Sequence, residues 1–137
     1  MIERLSPPGS PRPMGPYSPC VRAGGFLFVA GQGPTDVATG ILMGSADIET
    51  QTRLALTNIK TILEGAGSSM KDVVRCGVYL TNGDDFKRMN AVYAEFFGDD
   101  KPARTTIVCS FMADFNVEID CVAYSPANAS SASPVTR

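Results

Sequence analysis

The chain has 137 residues, of which 44% are apolar and 19% are charged, and its length favours one globular domain that buries roughly two-thirds of its unfolded surface. A net charge of −2 without any block of basic residues disfavours nucleic acid as a partner. The chain has no histidine, which excludes Ser-His-Asp and Cys-His catalysis and histidine metal sites.

The two ends of the chain are polar and rich in small residues or proline. We expect residues 1–14, which are Pro-rich, to lack regular structure, residues 15–125 to form the domain, and the tail 126–137 to be disordered. The N-terminus lacks the apolar segment of a secretion signal, and no apolar run approaches the ~20 residues of a membrane span. These features predict a soluble, cytoplasmic protein with no membrane partner.

The first regular element in chain order is a predicted β-hairpin. Residues 17–22 have an extended pattern, Gly24-Gly25 form the turn, and Phe26 to Ala30 return as the second strand. The following stretch "GQGPTDVATG" has the first glycines of a dinucleotide-binding loop. It carries Asp36 where that loop needs its third glycine, and no helix begins there, so it predicts a strand end and a turn.

The segment "DIETQTRLALTNIKTILEGAG" then changes from a two-residue to a helical period. Either Ser45 or Asp47 is available as the N-cap, and Gly65 and Gly67 are the stop signals. The helix would present one apolar face to the core. That face consists of Ile48, Thr52, Ala55, Leu56, Ile59, Ile62, Leu63 and Ala66.

The rest of the chain predicts one more helix and three strands. The predicted order is a strand at residues 73–80, a helix from Asp84 or Asp85 to Gly98, and strands at residues 104–111 and 117–124. The inner stripe of this helix would be Phe86, Met89, Tyr93, Phe96 and Phe97.

A β-β-α-β-α-β-β order predicts an α+β fold, a two-layer sandwich with both helices on one face of a mixed β-sheet. Several strands have apolar residues on both sides, so we expect a partner subunit on the open sheet face. The residues behind this expectation are Val78, Leu80, Ile107, Cys109, Ile119 and Cys121.

The last two strands carry charged residues that need an explanation. Glu118 and Asp120 share one face of their strand, and Arg104 begins the preceding strand, directly after "KPA". One interpretation is a solvated sheet face with weak cross-strand charge pairs. The other is that the fold holds Arg104 for a functional purpose. The pattern by itself leaves both interpretations open.

Thiol and metal chemistry are both disfavoured. None of the four cysteines forms a C-x-x-C pair and three lie in apolar runs, so we expect reduced and mostly buried thiols at Cys20, Cys76, Cys109 and Cys121. Asp114, Glu118 and Asp120 lack the loop oxygens of a cation site. We expect neither a metal nor a cofactor.

Six motifs resemble one known family. "GPYSP", "FVAGQ", "NIKTILEGAGSSMKDVVRCGVYL", "MNAVYAEFF", "PARTTI" and "VEIDCVA" are similar, in this order and spacing, to the RidA family, also called YjgF. The resemblance covers roughly residues 15–125. It implies a chorismate-mutase-like fold and a homotrimer with its sites in clefts between subunits, which would supply the partner subunit.

The resemblance also implies roles for five residues. Arg104 corresponds to the arginine that binds the substrate carboxylate, and Glu118 to the glutamate that positions or activates the attacking water. Tyr17 would form a wall of the site, and the backbone of Gly31 would line it. Thr106 stands where the family commonly has a cysteine, whose backbone is the part mainly used. From this departure we expect a changed pocket shape and a changed thiol sensitivity, with activity retained.

The activity implied by the resemblance is hydrolytic deamination of reactive 2-enamino or 2-imino acids, such as 2-aminoacrylate, to 2-keto acids and ammonia. This would be an enzyme of metabolite damage control without a cofactor. The first alternative is a regulator that binds a 2-keto acid in the same cleft without turnover. The second is the endoribonuclease or translation inhibitor described for some relatives, which the absence of histidine and of a basic surface disfavours.

Overall fold

A computed structural model describes residues 1–125 of the chain. In these residues the chain forms eight strands and two α-helices, in the order β1 (Ile2–Leu5), β2 (Cys20–Ala23), β3 (Phe26–Gln32), β4 (Thr35–Asp36), β5 (Ile41–Leu42), α1 (Ile48–Gly65), β6 (Val73–Leu80), α2 (Phe86–Phe97), β7 (Ala103–Val108) and β8 (Val117–Tyr124). The tail from residue 126, predicted to be disordered, lies outside the described residues.

Six of the strands form one mixed sheet in the order β1-β2-β3-β8-β6-β7. All neighbours in this sheet pair antiparallel except β6 and β7, which are parallel. The parallel pair follows from the connection, because α2 carries the chain from β6 back to the starting edge of the sheet. The last strand, β8, inserts between β3 and β6, so the C-terminal strand becomes central.

Helix α1 begins and ends where its sequence predicts. The Asp47 side chain accepts a hydrogen bond from the Thr50 amide at 2.8 Å, which satisfies one of the free amides of the first turn. The chain leaves the helix through Gly67, whose φ of 87° favours glycine. Seven of the eight residues predicted for the apolar face are buried, and Ala66 is half-buried.

Helix α2 follows a short 3₁₀ turn at residues 83–85. Asn82 caps this turn by accepting a hydrogen bond from the Asp84 amide at 2.9 Å, while Asp85 occupies the N-cap position without a side-chain capping bond. Gly98 ends the helix with a φ of 54°. The predicted inner stripe is wrong in one respect, since Phe86 is 44% exposed. The buried residues are Met89, Val92, Tyr93 and Phe97.

Both helices pack on the same face of the sheet and share one core with it. Strand β8 shows the alternation, because Val117, Ile119, Cys121 and Ala123 are buried while Glu118 and Asp120 point to the other face. The predicted two-layer α+β sandwich is therefore confirmed.

Three elements differ from the sequence prediction. The first 14 residues do not all lack regular structure, because β1 pairs with β2 along its whole length from Ile2↔Ala23 to Leu5↔Cys20. The stretch predicted as a turn after β3 contains the small hairpin β4–β5. Strand β7 ends at Val108, earlier than predicted.

The sheet face away from the helices is mixed rather than apolar. Ile107 and Phe28 are exposed there by 46% and 47%, but Tyr79, Glu118 and Asp120 lie on the same face. The prediction that these strands are apolar on both faces is therefore wrong for β6 and β8, whose open face carries Tyr79, Glu118 and Asp120. Four of the six residues behind the prediction face the helices and are buried, namely Val78, Leu80, Ile119 and Cys121.

All four cysteines are free, and three of them are buried. Burial raises the pKa of the Cys76 thiol to about 11, which keeps it protonated and unreactive at neutral pH.

Within residues 1–125 no helix has the length and hydropathy to cross a bilayer, and no cluster of three metal-ligating side chains occurs.

A buried polar network holds two loops against α1. The Gln51 amide nitrogen lies 2.8–3.0 Å from the carbonyls of Gly44 and Ala46 and from the side-chain oxygen of Asn116, and the Gln51 oxygen accepts from the Asn116 amide at 2.8 Å. Gly44 is required here, because a Cβ would lie 1.7 Å from the carbonyl oxygen of Asp114. The network fixes the loop before β8.

We predict that Gln51→Leu lowers the free energy of unfolding by about 1–3 kcal/mol, because it leaves buried backbone groups without partners. Thr57→Ala, at an exposed position of the same helix, should change it by a few tenths of a kcal/mol at most. Denaturant unfolding of both variants checks this. A free energy of unfolding of Gln51→Leu equal to that of the wild type would show that Gln51 contributes only volume to the core.

Candidate functional site

A β-bulge in β3 brings the backbone against a carboxylate. Val29 pairs with Cys121 but Gln32, not Gly31, pairs with Ile119, so β3 has one extra residue at this point. A Cβ on Gly31 would lie 2.2 Å from the nearer carboxylate oxygen of Glu118. Only glycine allows this approach, which explains the residue type at position 31.

Glu118 and Gly31 line a small pocket of about 70 Å³ at the end of the sheet. Its other walls come from the segment that leads into β2 and from the loop before β8. Tyr17 lies in this wall, half exposed, with its hydroxyl accepting a hydrogen bond from the Met14 amide at 3.1 Å. Phe115 closes the opposite side and stacks on Phe111 with 4.3 Å between ring centroids.

Burial raises the pKa of the Glu118 carboxyl, and the nearby charge of Asp120 raises it further. Asp120 itself is tied to the sheet, since it accepts hydrogen bonds from the Gly77 amide and the Tyr79 hydroxyl, both at 2.9 Å. The pocket thus contains a carboxyl group that takes up a proton more readily than an exposed glutamate.

Arg104 lies on the opposite face of the sheet. It pairs in register with Cys76, which is buried under the helices, so its side chain points toward α2. The guanidinium carbon is 4.7 Å from the ring centroid of Tyr93 and 5.6 Å from that of Phe86, both within cation–π distance. Among residues 1–125 no carboxylate forms an ion pair with Arg104.

A surface cavity of about 350 Å³ lies next to Arg104. Its walls come from the exposed side of α2 and the turn that leads into β7, including Asn90 and Lys101. Lys101 donates a hydrogen bond to the Gly98 carbonyl at 2.5 Å, and its charge adds to that of Arg104. This cavity is cationic, whereas the pocket at Glu118 contains a carboxyl group.

The structure therefore separates the five predicted site residues into two groups. Tyr17, Gly31 and Glu118 line one pocket. Arg104 and Thr106 lie in alternate positions of β7 on the helix side, and β6 stands between this strand and β8. A cross-strand pair between Arg104 and Glu118 or Asp120, the simpler of the two interpretations, does not form in this chain.

Sequence reasoning missed the aromatic support of Arg104 and the wall at Phe115. Phe86 and Tyr93 are seven residues apart, which places them on one helix face, and they were assigned to the core. That spacing gives no information that β7 lies next to these two rings in the fold. No sequence pattern placed Phe115 in a site, because its position depends on the buried network around Asn116.

We predict a pH-dependent effect of Glu118→Gln on stability. A raised pKa means that the folded protein binds the Glu118 proton more tightly than the unfolded chain does. The stability that this proton contributes is therefore lost as pH rises from about 4.3, the pKa in the unfolded chain, through the higher pKa of the folded protein. The variant should therefore gain stability relative to the wild type across this window. Denaturant unfolding between pH 4 and pH 7 measures the difference.

Glu64→Gln is the matched control, because Glu64 is half exposed and pairs only with Lys60 at 3.0 Å on the helix surface. Glu64→Gln should not be more stable than the wild type at pH 7, because it loses a weak surface ion pair and removes no buried charge. A constant difference between Glu118→Gln and the wild type across the window would contradict the raised pKa of Glu118.

Comparison with known proteins identifies the family. The family model described as "Endoribonuclease L-PSP" matches residues 8–125. A RutC family protein of Pyrococcus horikoshii is 48% identical over 125 residues, covering 90% of this chain and 98% of that protein.

Solved structures share the fold. YyfA of Yersinia pestis, described as a protein of unknown function of the conserved Rid protein family, is 32% identical with a TM-score of 0.86, covering 90% of this chain and 99% of that one. TdcF of E. coli, solved with bound serine, is 32% identical with a TM-score of 0.83, covering 89% and 98%. The chain belongs to the YjgF/RidA family.

Proposed function

We propose that this protein hydrolyses reactive 2-imino acids, the tautomers of 2-enamino acids such as 2-aminoacrylate, to 2-keto acids and ammonia. The observation that carries the proposal is the pair of complementary half-sites on opposite faces of the sheet. One presents an arginine without a carboxylate partner among residues 1–125, and the other presents a carboxyl group with a raised pKa against the Gly31 backbone.

The chemistry suits these two groups. A guanidinium can hold the substrate carboxylate through two parallel hydrogen bonds and remains charged at any working pH. A protonated C=N is already electrophilic, so water needs only positioning and proton transfer. Glu118 would take a proton from the water as its oxygen bonds to the imine carbon, and return that proton to the nitrogen. The hydroxyl of the carbinolamine would then lose its proton to Glu118 as the C–N bond breaks, which gives the keto acid and ammonia.

The two half-sites can form one site only if two copies of the chain meet. Arg104 and Glu118 of one chain face opposite sides of the sheet, so a substrate that touches both must bridge neighbouring subunits. We propose a homotrimer, in which each interface joins the Arg104 side of one copy to the Glu118 side of the next. The exposed Phe28 and Ile107 would be covered in this assembly.

Two further functions are ranked lower. Binding of a small carboxylate without turnover is supported by the relative TdcF, which was solved with bound serine. The family description also names an endoribonuclease. The chain offers that activity neither a histidine nor a net positive charge, so we rank it last.

The decisive experiment generates 2-imino acids in situ with an amino-acid oxidase and measures ammonia and keto-acid release with and without the protein. Faster release with the protein supports the deaminase. Tight binding of pyruvate or 2-oxobutyrate without turnover of any small imino acid would favour the carboxylate-binding regulator instead.

We predict that Arg104→Ala lowers kcat/KM about tenfold to a hundredfold or more, because a hydrogen-bonded charge at the carboxylate is typically worth about 1.5–3 kcal/mol. Arg104→Lys should recover only part of this loss, since it keeps the charge but loses the two-pronged geometry. Steady-state kinetics of both variants check the prediction. Wild-type rates for both would remove Arg104 from the site.

We predict that two inactive variants complement each other. At substrate concentrations well below KM, Arg104→Ala and Glu118→Gln should each have little activity, but after mixed refolding about a quarter of the sites in random trimers combine an intact Arg104 with an intact Glu118 of the neighbour. Activity should return toward this fraction. Mixtures that stay as inactive as the separate variants would contradict a site shared between subunits.

A further inference from the structure

Arg104 is in contact with aromatic rings rather than with acids. Its guanidinium carbon lies 4.7 Å from the Tyr93 ring centroid and 5.6 Å from that of Phe86. These rings come from one face of α2, two helical turns apart. A planar guanidinium is attracted to such rings, and the attraction uses none of its N–H groups.

The two rings are not equivalent supports. Tyr93 is only 7% exposed, and Phe97 packs against it with 4.6 Å between ring centroids, so the tyrosine ring is held by the core. Phe86 is 44% exposed and lies at the first residue of the helix. Of the two rings in contact with Arg104, the Tyr93 ring is therefore fixed by packing, whereas the Phe86 ring is exposed and less restrained.

The Tyr93 ring stays neutral at any working pH. Burial raises the pKa of its phenol, and this effect exceeds the opposing influence of the Arg104 charge. The contact with Arg104 is therefore one between a cation and a neutral ring, and phenylalanine could provide it equally well.

The side chain of Arg104 would otherwise have little to hold it. Arginine loses considerable rotamer entropy when it is fixed, and an exposed one normally samples many positions. Within residues 1–125 neither an ion pair nor a side-chain hydrogen bond of Arg104 is present to restrict it. The aromatic contacts are the restraint, and they leave the N–H groups available.

We propose that Tyr93 is a positioning residue, which fixes the Arg104 guanidinium so that its N–H groups are presented to the carboxylate of the substrate. The inference rests on the proposed function and deepens it. Arg104 acts on the carboxylate equally in the bound substrate and in the transition state, so the loss of its orientation should weaken binding rather than slow the chemical step.

The test compares three variants in the imino-acid assay. Tyr93→Leu should raise KM about tenfold with kcat little changed, within the range of cation–π contacts. Tyr93→Phe should remain within about twofold of the wild type, because it keeps the ring. Phe96→Leu is the matched control, since it removes a partly buried ring of the same helix that forms neither a cation–π contact with Arg104 nor a ring contact with Tyr93 among the described residues, and it should leave KM unchanged.

A wild-type KM in Tyr93→Leu, or an equal rise in Phe96→Leu, would overturn the proposal, because packing of α2 alone would then explain the tyrosine. Thermal unfolding of each variant confirms that it is folded under the assay conditions. If Tyr93→Leu does not fold, Tyr93→Met retains more apolar volume without a ring and carries the same expectation.

A second measurement does not depend on catalysis. The Arg104 Nε–H resonance, assigned by its loss in Arg104→Lys, should be shifted by the ring current of Tyr93 and should move in Tyr93→Leu but not in Tyr93→Phe. Calorimetry with pyruvate should show about tenfold weaker binding for Tyr93→Leu.

The resonance and calorimetry measurements distinguish a failure of the proposed deaminase function from a failure of the positioning role of Tyr93. If the wild type turns over no imino acid, the deaminase function fails while the pyruvate Kd still tests the role of Tyr93. An unshifted Arg104 resonance, an unchanged Kd, or a wild type that binds no pyruvate would overturn the positioning role.

Discussion

Burial of every second side chain of β8 under the two helices is the constraint on which the rest of the structure depends. Val117, Ile119, Cys121 and Ala123 are all in the core, and the strand is hydrogen-bonded on both sides, to β3 and β6. A shift of one residue would move this whole set to the open face, so the register is strongly determined. It places Glu118 on the open face of the sheet.

The extra residue in β3 acts on this fixed strand. Because β8 cannot shift, the bulge between Val29 and Gln32 is accommodated by β3 alone, and it carries the Gly31 backbone onto the Glu118 carboxyl. The buried pairing of Gln51 with Asn116 holds the loop before β8, and with it Phe115, at the far wall of the pocket. The carboxyl pocket is thus made by backbone irregularities around a regular strand.

The two proposed half-sites differ in how their ionisable groups are held. Glu118 is a partly buried acid whose neighbours disfavour ionisation, whereas Arg104 is a cation on aromatic rings with no carboxylate beside it among residues 1–125. Neither Arg104 nor Glu118 has an ion-pair partner among residues 1–125. Groups left in this state are suited to a bound ligand that supplies the missing partner, as the proposed imino acid would with its one carboxylate and one basic nitrogen.

The sequence by itself determined the local elements and the direction of their side chains. The period of two in β8 separates Glu118 from Ile119, and the period of 3.6 with Asp47 and Gly67 delimits α1, because these signals depend only on neighbours along the chain. Only the tertiary structure decided which strands meet, since pairing joins residues far apart in sequence. It therefore added β1 to the sheet, separated Arg104 from Glu118 by β6, and placed Arg104 on Tyr93.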